Sequence, residues 1–255
     1  MSNIILEIKN LQLNYGKTCA FNDANLTIEK NKVTSIIGPS GCGKSSLLQC
    51  INRMAELNQE VSISGDIVFN DQSVYDSRID LRQLRKRIGI VFQEPTPLPL
   101  SIATNIELPL KEHGFDNIKE RTESALKAVG LWNEVKNKLN SPAGKLSGGQ
   151  KQRLCLARTI ALEPEIILMD EPCSSLDPKS TEVIEGLIKD LKNKYTIVII
   201  THNLSQAKRV SDQTAVFWFD ENACAGRIIE SRETEYIFNH SQNTIVNDYI
   251  AGLKG

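Results

Sequence analysis

Short apolar bursts broken by asparagine, glycine and aspartate open the chain: Ile4 to Ile8, Leu11 to Tyr15 and Ala24 to Ile28. That alternation reads as β-hairpin material. The pattern then changes to a β-branched run, Val33-Thr34-Ser35-Ile36-Ile37, which ends in a glycine-rich loop. Beyond it Leu47, Leu48, Ile51 and Met54 recur at helical spacing. A second β-rich patch, Val61 to Phe69, leads through the basic segment Leu81 to Arg87 into another buried-type strand, Ile88 to Phe92. From Glu94 to about Leu162 the strand signal gives way to a proline-punctuated loop (Pro95, Pro97, Pro99) and to helix-like stretches such as Ile118 to Val129 and Gln150 to Leu162. This segment reads as a helical insertion. Strands return at Glu165 to Met169, Thr196 to Ile200 and Thr214 to Phe219, with an amphipathic helix on Val183, Ile184, Leu187, Ile188 and Leu191 between the first two. Strands alternating with helices predict an α/β fold whose mainly parallel sheet is covered on both faces.

Composition narrows the class without choosing a function. The 255 residues are 40% hydrophobic and 24% charged, which sets aside disorder, collagen-like repeats and a small disulfide scaffold. Thirty basic against thirty-one acidic side chains give a net charge of -1, so no whole-molecule field draws the chain to nucleic acid or an acidic membrane. The basic segment Leu81 to Arg87 carries Leu81, Leu84 and Ile88 at helical spacing, the mark of a solvated face on a packed helix. Apolar stretches such as Ala215 to Phe219 fall far short of the 18 or so residues of a membrane-spanning helix. Glu7 and Lys9 break the apolar run at the N-terminus, so no signal-peptide core is expected. The six cysteines form no CxxC pair and no histidine stands at zinc-ligand spacing, which suggests reduced, cytosolic thiols.

Gly38-Pro39-Ser40-Gly41-Cys42-Gly43-Lys44-Ser45 fits GxxxxGK[ST] and lies after a strand and before a helix, as that motif requires. Glycines let such a loop fold closely around a polyphosphate with its N–H groups pointing inward, and the helix N-terminus adds its positive dipole. Lys44 would reach the β- and γ-phosphates, and Ser45 would offer its hydroxyl to Mg²⁺. A second element, Ile166-Ile167-Leu168-Met169-Asp170-Glu171, delivers two carboxylates at the C-terminal end of an apolar strand, where open α/β sheets place their ligands. Asp170 can help hold Mg²⁺, and Glu171 can orient and polarise an attacking water. These two elements suit a kinase, a GTPase, a helicase or a transporter motor.

Leu146-Ser147-Gly148-Gly149-Gln150 separates them. It stands at the end of the helical insertion, where a Ser-Gly-Gly loop also caps the helix that starts near Gln150. LSGGQ resembles the signature of ABC-type ATPases, and further motifs follow in that family's order around its Walker A (Gly38 to Ser45) and Walker B (Ile166 to Glu171) segments: Tyr15, Gln93 ending its strand, Ser174-Ser175-Leu176-Asp177 after Walker B, and His202 closing the Ile197 to Ile200 strand. The resemblance covers essentially the whole chain. It implies a P-loop NTPase of RecA-like architecture with an N-terminal antiparallel β-subdomain, a nucleotide-binding core in 1–93 and 163–255, and a helical signature subdomain in 94–162. It further implies a head-to-tail homodimer with two ATP molecules at the interface. Each ATP would be held by the Walker residues of one copy, Ser46 beside them, and by the signature Ser147, Gly148, Gly149 and Gln150 of the other. Tyr15 would stack on adenine, Gln93 would approach Mg²⁺ and the attacking water, His202 would contact the γ-phosphate, and Asp177 would link the two sites. His113 and His240 are expected to be ordinary surface or core residues.

Within that family, Gln93-Glu94-Pro95-Thr96-Pro97-Leu98-Pro99, the run Asp170 to Pro178, Tyr195 to Asn203, Arg209-Val210-Ser211-Asp212, and the ending with Thr234 to Phe238 and Tyr249-Ile250-Ala251-Gly252 are similar to the ATP-binding subunits of bacterial phosphate importers. That resemblance implies an ATPase at the cytoplasmic face of the membrane, coupled to two permease subunits and indirectly to a periplasmic or extracellular solute-binding protein, with no nucleic-acid partner. An importer for another small solute such as molybdate or tungstate stays open, as does a soluble ATPase of the iron–sulfur assembly type. Glu94 stands where the phosphate-importer group commonly has a basic residue, Ser46 replaces a usual threonine, and Asp220 to Ala225 lengthens a hairpin. Cys42 and Cys173 flank the proposed centre as small packing residues or as oxidisable thiols.

Overall fold

The computed structural model describes residues 3–254. The N-terminal bursts are pieces of longer strands: β1 (Ile4–Tyr15) and β2 (Thr18–Glu29) pair antiparallel from end to end. The polar residues that interrupt the pattern lie inside the strands as bulges. Asn10 and Asp23 sit at φ 46° and 45°, the register shifts between Ile8 and Leu11, and the Asn25 side chain accepts the Asn10 N–H at 2.8 Å. β3 (Val33–Ile37) then runs through the glycine-rich loop into α1 (Lys44–Ile51). Met54 falls outside this helix, because Arg53 at φ 59° turns the chain out of the helical path.

β4 (Val61–Phe69) pairs with β1, and β5 (Gln72–Ser73) forms the edge beside it. α2 (Leu81–Arg87), capped by the Asp80 carboxylate, leads directly into β6 (Ile88–Val91). The basic residues of α2 pin neighbouring elements. Arg85 donates to the carbonyls of Asn52 and Arg53 at 3.3 and 2.9 Å, at the end of α1, and Arg87 pairs with Glu165 at 2.6 Å.

Helices follow: α3 (Ile102–Glu112), α4 (Ile118–Ala128), α5 (Trp132–Val135) and α6 (Gly148–Ile160). The apolar pattern does not single out α3, since Pro109 sits in its interior, where it removes a backbone donor and strains the turn before it. Ser101 starts this helix by accepting the Thr104 N–H at 3.1 Å. The chain returns to the sheet with β7 (Ile166–Asp170), α7 (Pro178–Leu191), β8 (Thr196–Ile200), α8 (Leu204–Val210), β9 (Gln213–Asp220) and β10 (Ala225–Glu233), and ends in α9 (Thr234–Asn239) and α10 (Thr244–Ile250). On α7, Ile184, Ile188 and Leu191 are buried as their spacing requires, whereas Val183 is exposed.

All ten strands join one sheet in the order β5-β4-β1-β2-β10-β9-β3-β8-β7-β6. From β9 to β6 the pairs are parallel, and the remainder is antiparallel except at the seam, where Gly226 of β10 meets Phe21 of β2 in parallel. Successive residues of the central strands feed opposite faces. Leu168, Val198 and Ile200 pack with Leu47 and Leu48 of α1, while Ile167, Met169, Ile197 and Ile199 pack with α3, α4, α6 and α7. Burial on both faces explains why these strands read as continuous apolar runs. A third cluster joins Ile37 and Val216 to Ala207, Ile237, Val246 and Tyr249, tying the C-terminal helices to the end of β3.

Candidate functional site

The glycine-rich loop is shaped by what surrounds it as much as by its own residues. Gly38 lies at φ 151°, and a Cβ there would stand 1.9 Å from the Phe217 carbonyl oxygen. Gly226, on the neighbouring β10, faces the loop from the other side, and a Cβ there would stand 1.8 Å from the Cys42 carbonyl oxygen. Only hydrogens at these two positions let the loop nest against β9 and β10. Lys44, buried at the first turn of α1, curls back so that Nζ donates to the carbonyls of Gly38 and Pro39 at 2.8 and 2.6 Å. Its ammonium thus hangs over a concave run of backbone at a helix N-terminus, an arrangement suited to polyphosphate. Pro39, Ser40 and Gly41 form the outer part of the same loop.

β7 lies two strands from β3 and delivers its carboxylates to the same end of the sheet. Ser45 Oγ donates to Asp170 Oδ1 at 3.0 Å. Burial pushes the Asp170 carboxyl pKa up, the Ser45 hydrogen bond opposes that, and the Glu171 charge adds to it. A hydroxyl converging with a carboxylate is the hard-oxygen donor pair that Mg²⁺ accepts. Among the described residues no cluster of three or more His, Cys, Asp or Glu side chains could hold a metal ion. A magnesium ion at this pair would therefore draw its other oxygens from nucleotide and water, its usual habit.

Glu171 follows at φ 43°, a left-handed conformation that costs energy in a residue with a side chain. Its N–H donates to the Ile200 carbonyl at 2.9 Å. Three side chains from three strand ends meet here: His202 Nδ1 lies 2.8 Å from Glu171 Oε2, and Gln93 Nε2 donates to the same oxygen at 3.4 Å. Gln93 and His202 stand two residues beyond their strands rather than at the last strand position. Tyr15, at the end of β1, donates its hydroxyl to Ser46 Oγ at 3.2 Å, which brings the expected adenine platform beside the phosphate loop.

The signature residues are held elsewhere. Ser147 is the N-cap of α6, which begins at Gly148, and a capping box joins Ser147 and Gln150 in both directions. Gln150 also donates to Glu134 at 2.8 Å. Among the described residues, no hydrogen bond links Ser147 to Gln150 with the phosphate loop or with Glu171. Asp177 serves as N-cap of α7, accepting from Lys179 N, Ser180 N and Ser180 Oγ at 3.1, 3.1 and 2.6 Å. Those bonds, the Ser180 hydroxyl foremost, hold its carboxyl pKa below the ordinary value.

A cleft of about 750 Å³ between α7 and α8 has Glu171 and His202 on its wall but none of the phosphate loop, so it adjoins the phosphate cradle and does not coincide with it. Cys42 is fully buried with its pKa raised by burial. Burial pushes the Cys173 thiol up to about 11. Both environments favour the neutral packing thiol over a reactive thiolate. One neighbour of the loop went unrecognised in the sequence: Tyr249 of α10 is buried edge-on against Trp218, ring centroids 5.7 Å apart. Burial raises its hydroxyl pKa, and the nearby Gly38 backbone opposes the rise. The ending Tyr249-Ile250-Ala251-Gly252 carried that signal only as a motif without a partner.

A family model described as ABC transporter matches residues 21–174. The phosphate import ATP-binding protein PstB 1 of Nitrosococcus oceani is 45% identical over 254 residues, covering 98% of this chain and 91% of that protein. PstB, the phosphate import ATP-binding protein of Idiomarina loihiensis, is 48% identical over 253 residues, again covering 98% of this chain and 91% of the relative. Among solved structures, cbiO1 from Clostridium perfringens, part of the ABC transporter complex cbiONQ, superposes with a TM-score of 0.79 at 30% identity, covering 94% of this chain and 92% of that one. With the phosphate loop, the paired carboxylates and LSGGQ set out on this fold, and with relatives of that identity along nearly its whole length, the chain belongs to the ABC transporter family of ATP-binding proteins.

Proposed function

We propose that the chain is the ATP-hydrolysing subunit of a membrane importer for inorganic phosphate. The relatives named for phosphate import support the solute. The observation that carries the chemistry is the meeting of Gln93, Glu171 and His202 beside the Ser45–Asp170 pair. In this reading the triphosphate of ATP takes the place of the Gly38 and Pro39 carbonyls as partner of Lys44, and backbone N–H groups of the loop hold its oxygens. Ser45, Asp170 and Gln93 would hold Mg²⁺, which when bound neutralises phosphate charge. Glu171 then accepts hydrogen bonds from the attacking water and takes its proton, while His202 turns toward the γ-phosphate.

The separation of Ser147 and Gly149 from the phosphate loop supports the remainder of the reading: a second copy supplies them. Two chains close head to tail on two ATP molecules and open when the γ-phosphate is lost. In this arrangement the nucleotide core (1–93 and 163–255) and the signature subdomain (94–162) press on two permease subunits at the cytoplasmic face, and a solute-binding protein delivers phosphate from outside. Among the described residues no helix is long and apolar enough to cross a membrane.

Glu171→Gln tests the chemistry. It keeps the side chain's size and the loop's phosphate contacts but removes the proton acceptor, so ATP binding persists, turnover falls by at least about a hundredfold, and a dimer accumulates in ATP. Near-native turnover would remove Glu171 from this role. Uptake of labelled phosphate by cells carrying Lys44→Ala tests the solute, and unchanged uptake would reject it.

A further inference from the structure

Between β7 and α7 two serines stand side by side, and the fold uses them differently. Ser174 Oγ donates to the Glu171 carbonyl at 3.1 Å and accepts Gln93 Nε2 at 3.3 Å. A hydroxyl has one hydrogen to give and lone pairs to receive with, so both bonds form at once. Ser174 N–H reaches the same Glu171 carbonyl at 3.2 Å. Ser175 makes no side-chain hydrogen bond among the described residues. The Gln93 amide thus divides between the Ser174 hydroxyl and Glu171 Oε2, the latter at 3.4 Å. Each of these two contacts is longer than the usual N–H···O range of 2.7–3.2 Å. Neither alone would hold a flexible glutamine side chain at an exposed site.

Glu171 needs holding as well. Its φ of 43° is strained, and of the bonds that fix its peptide groups, one goes to Ile200 and the others to Ser174. We propose that Ser174 is a positioning residue for ATP hydrolysis, its hydroxyl clamping the Gln93 amide against the Glu171 carboxylate while steadying the strained backbone from which that carboxylate projects. The proposal rests on the reading of Glu171 as the group that orients water. Ser174 touches neither nucleotide nor water in this role. It acts through Gln93 and Glu171, so its loss lowers the rate of the chemical step without weakening ATP capture at the phosphate loop.

The experiment is steady-state ATP hydrolysis and ATP binding by the full chain, comparing Ser174→Ala, Ser174→Thr, Gln93→Ala and the double variant Ser174→Ala/Gln93→Ala. Ser174→Ala is expected to lower kcat about tenfold, with KM for ATP within about twofold of native. Threonine keeps the hydroxyl and restores kcat to within about threefold. Because Ser174 works partly through Gln93, the double variant loses much less than the product of the two single losses. A kcat within about twofold of native in Ser174→Ala overturns the proposal. So does full multiplication of the two losses, or a threonine variant as slow as alanine. Glu171→Gln separates this outcome from failure of the underlying reading: native-rate hydrolysis in that variant rejects the role of Glu171, whereas a dead Glu171→Gln beside a native-rate Ser174→Ala rejects the clamp alone.

Discussion

A carboxyl group taken out of water with little to compensate it works against folding, and Asp170 is in that position. Its pKa is raised first by burial, so the folded chain binds this proton more tightly than the unfolded chain does. That preference stabilises the native state below the ordinary carboxyl value of 3.8. It is lost as pH rises through the raised pKa, and at neutral pH the ionised side chain opposes folding. Asp170→Asn keeps an acceptor for Ser45 and removes the charge. Thermal melts should therefore show a higher Tm than native at pH 7, with the gap closing as pH falls toward 4, while ATP turnover drops. Equal Tm values at pH 7 would mean that the buried charge is already compensated. Stability given up for function is a common feature of active sites.

At the scale of elements, the proline-rich segment after Gln93 is set by α3 more than by its own three prolines. Asn105, fully buried in that helix, accepts the Leu98 N–H at 2.7 Å and donates to the carbonyls of Leu98 and Ser101 at 3.2 and 2.9 Å. The amide closes the loop against the start of α3, next to the strand end that carries Gln93. Asn105→Ala leaves the Leu98 N–H without its acceptor, at a cost of about 1–3 kcal/mol, while the Leu98 and Ser101 carbonyls keep the backbone N–H groups of Leu100 and Asn105. Chemical denaturation should record that loss, and hydrogen exchange should quicken at Leu98. A change below about 0.5 kcal/mol would show that water replaces the amide without penalty.

At the scale of the whole molecule, the dimer proposed above divides each ATP site into two half-sites, and within one chain no hydrogen bond joins them among the described residues. Lys44, Asp170 and Glu171 gather at one end of the parallel strands, while Ser147 caps α6 with its side chain exposed and its bonds confined to Gln150. A bulky cation at Ser147 should spare the first half-site and spoil the second. In a Glu171→Gln background, adding Ser147→Arg is expected to leave ATP binding to single chains within about threefold of the parent, yet to abolish the ATP-dependent dimer that the proposal predicts, as read by mass photometry. A dimer that persists would place the interface elsewhere. Of the basic residues of α2, Arg85 is spent on α1 and Arg87 on Glu165.

What the chain determined by itself was whatever local backbone chemistry dictates. The β-branched run before Gly38, the lysine after Gly43, the paired carboxylates ending an apolar strand and the Ser-Gly-Gly start of α6 each work through neighbours within a few residues, so their order along the chain was enough to read them. Tertiary structure decided the meetings. Asn10 and Asp23 read as breaks because a bulge is visible only when the partner strand supplies its register. α3 was obscured by Pro109, whose local penalty is outweighed by packing of Ile102, Ile106 and Leu110 into the core beneath the sheet. Gly226 lies against Cys42, Tyr249 against Gly38, and Ser174 against Gln93, all through a strand order in which β3 sits between β9 and β8. That order is chosen by nonlocal burial on two faces at once, and burial on two faces leaves no periodic trace from which one strand's neighbours could be read.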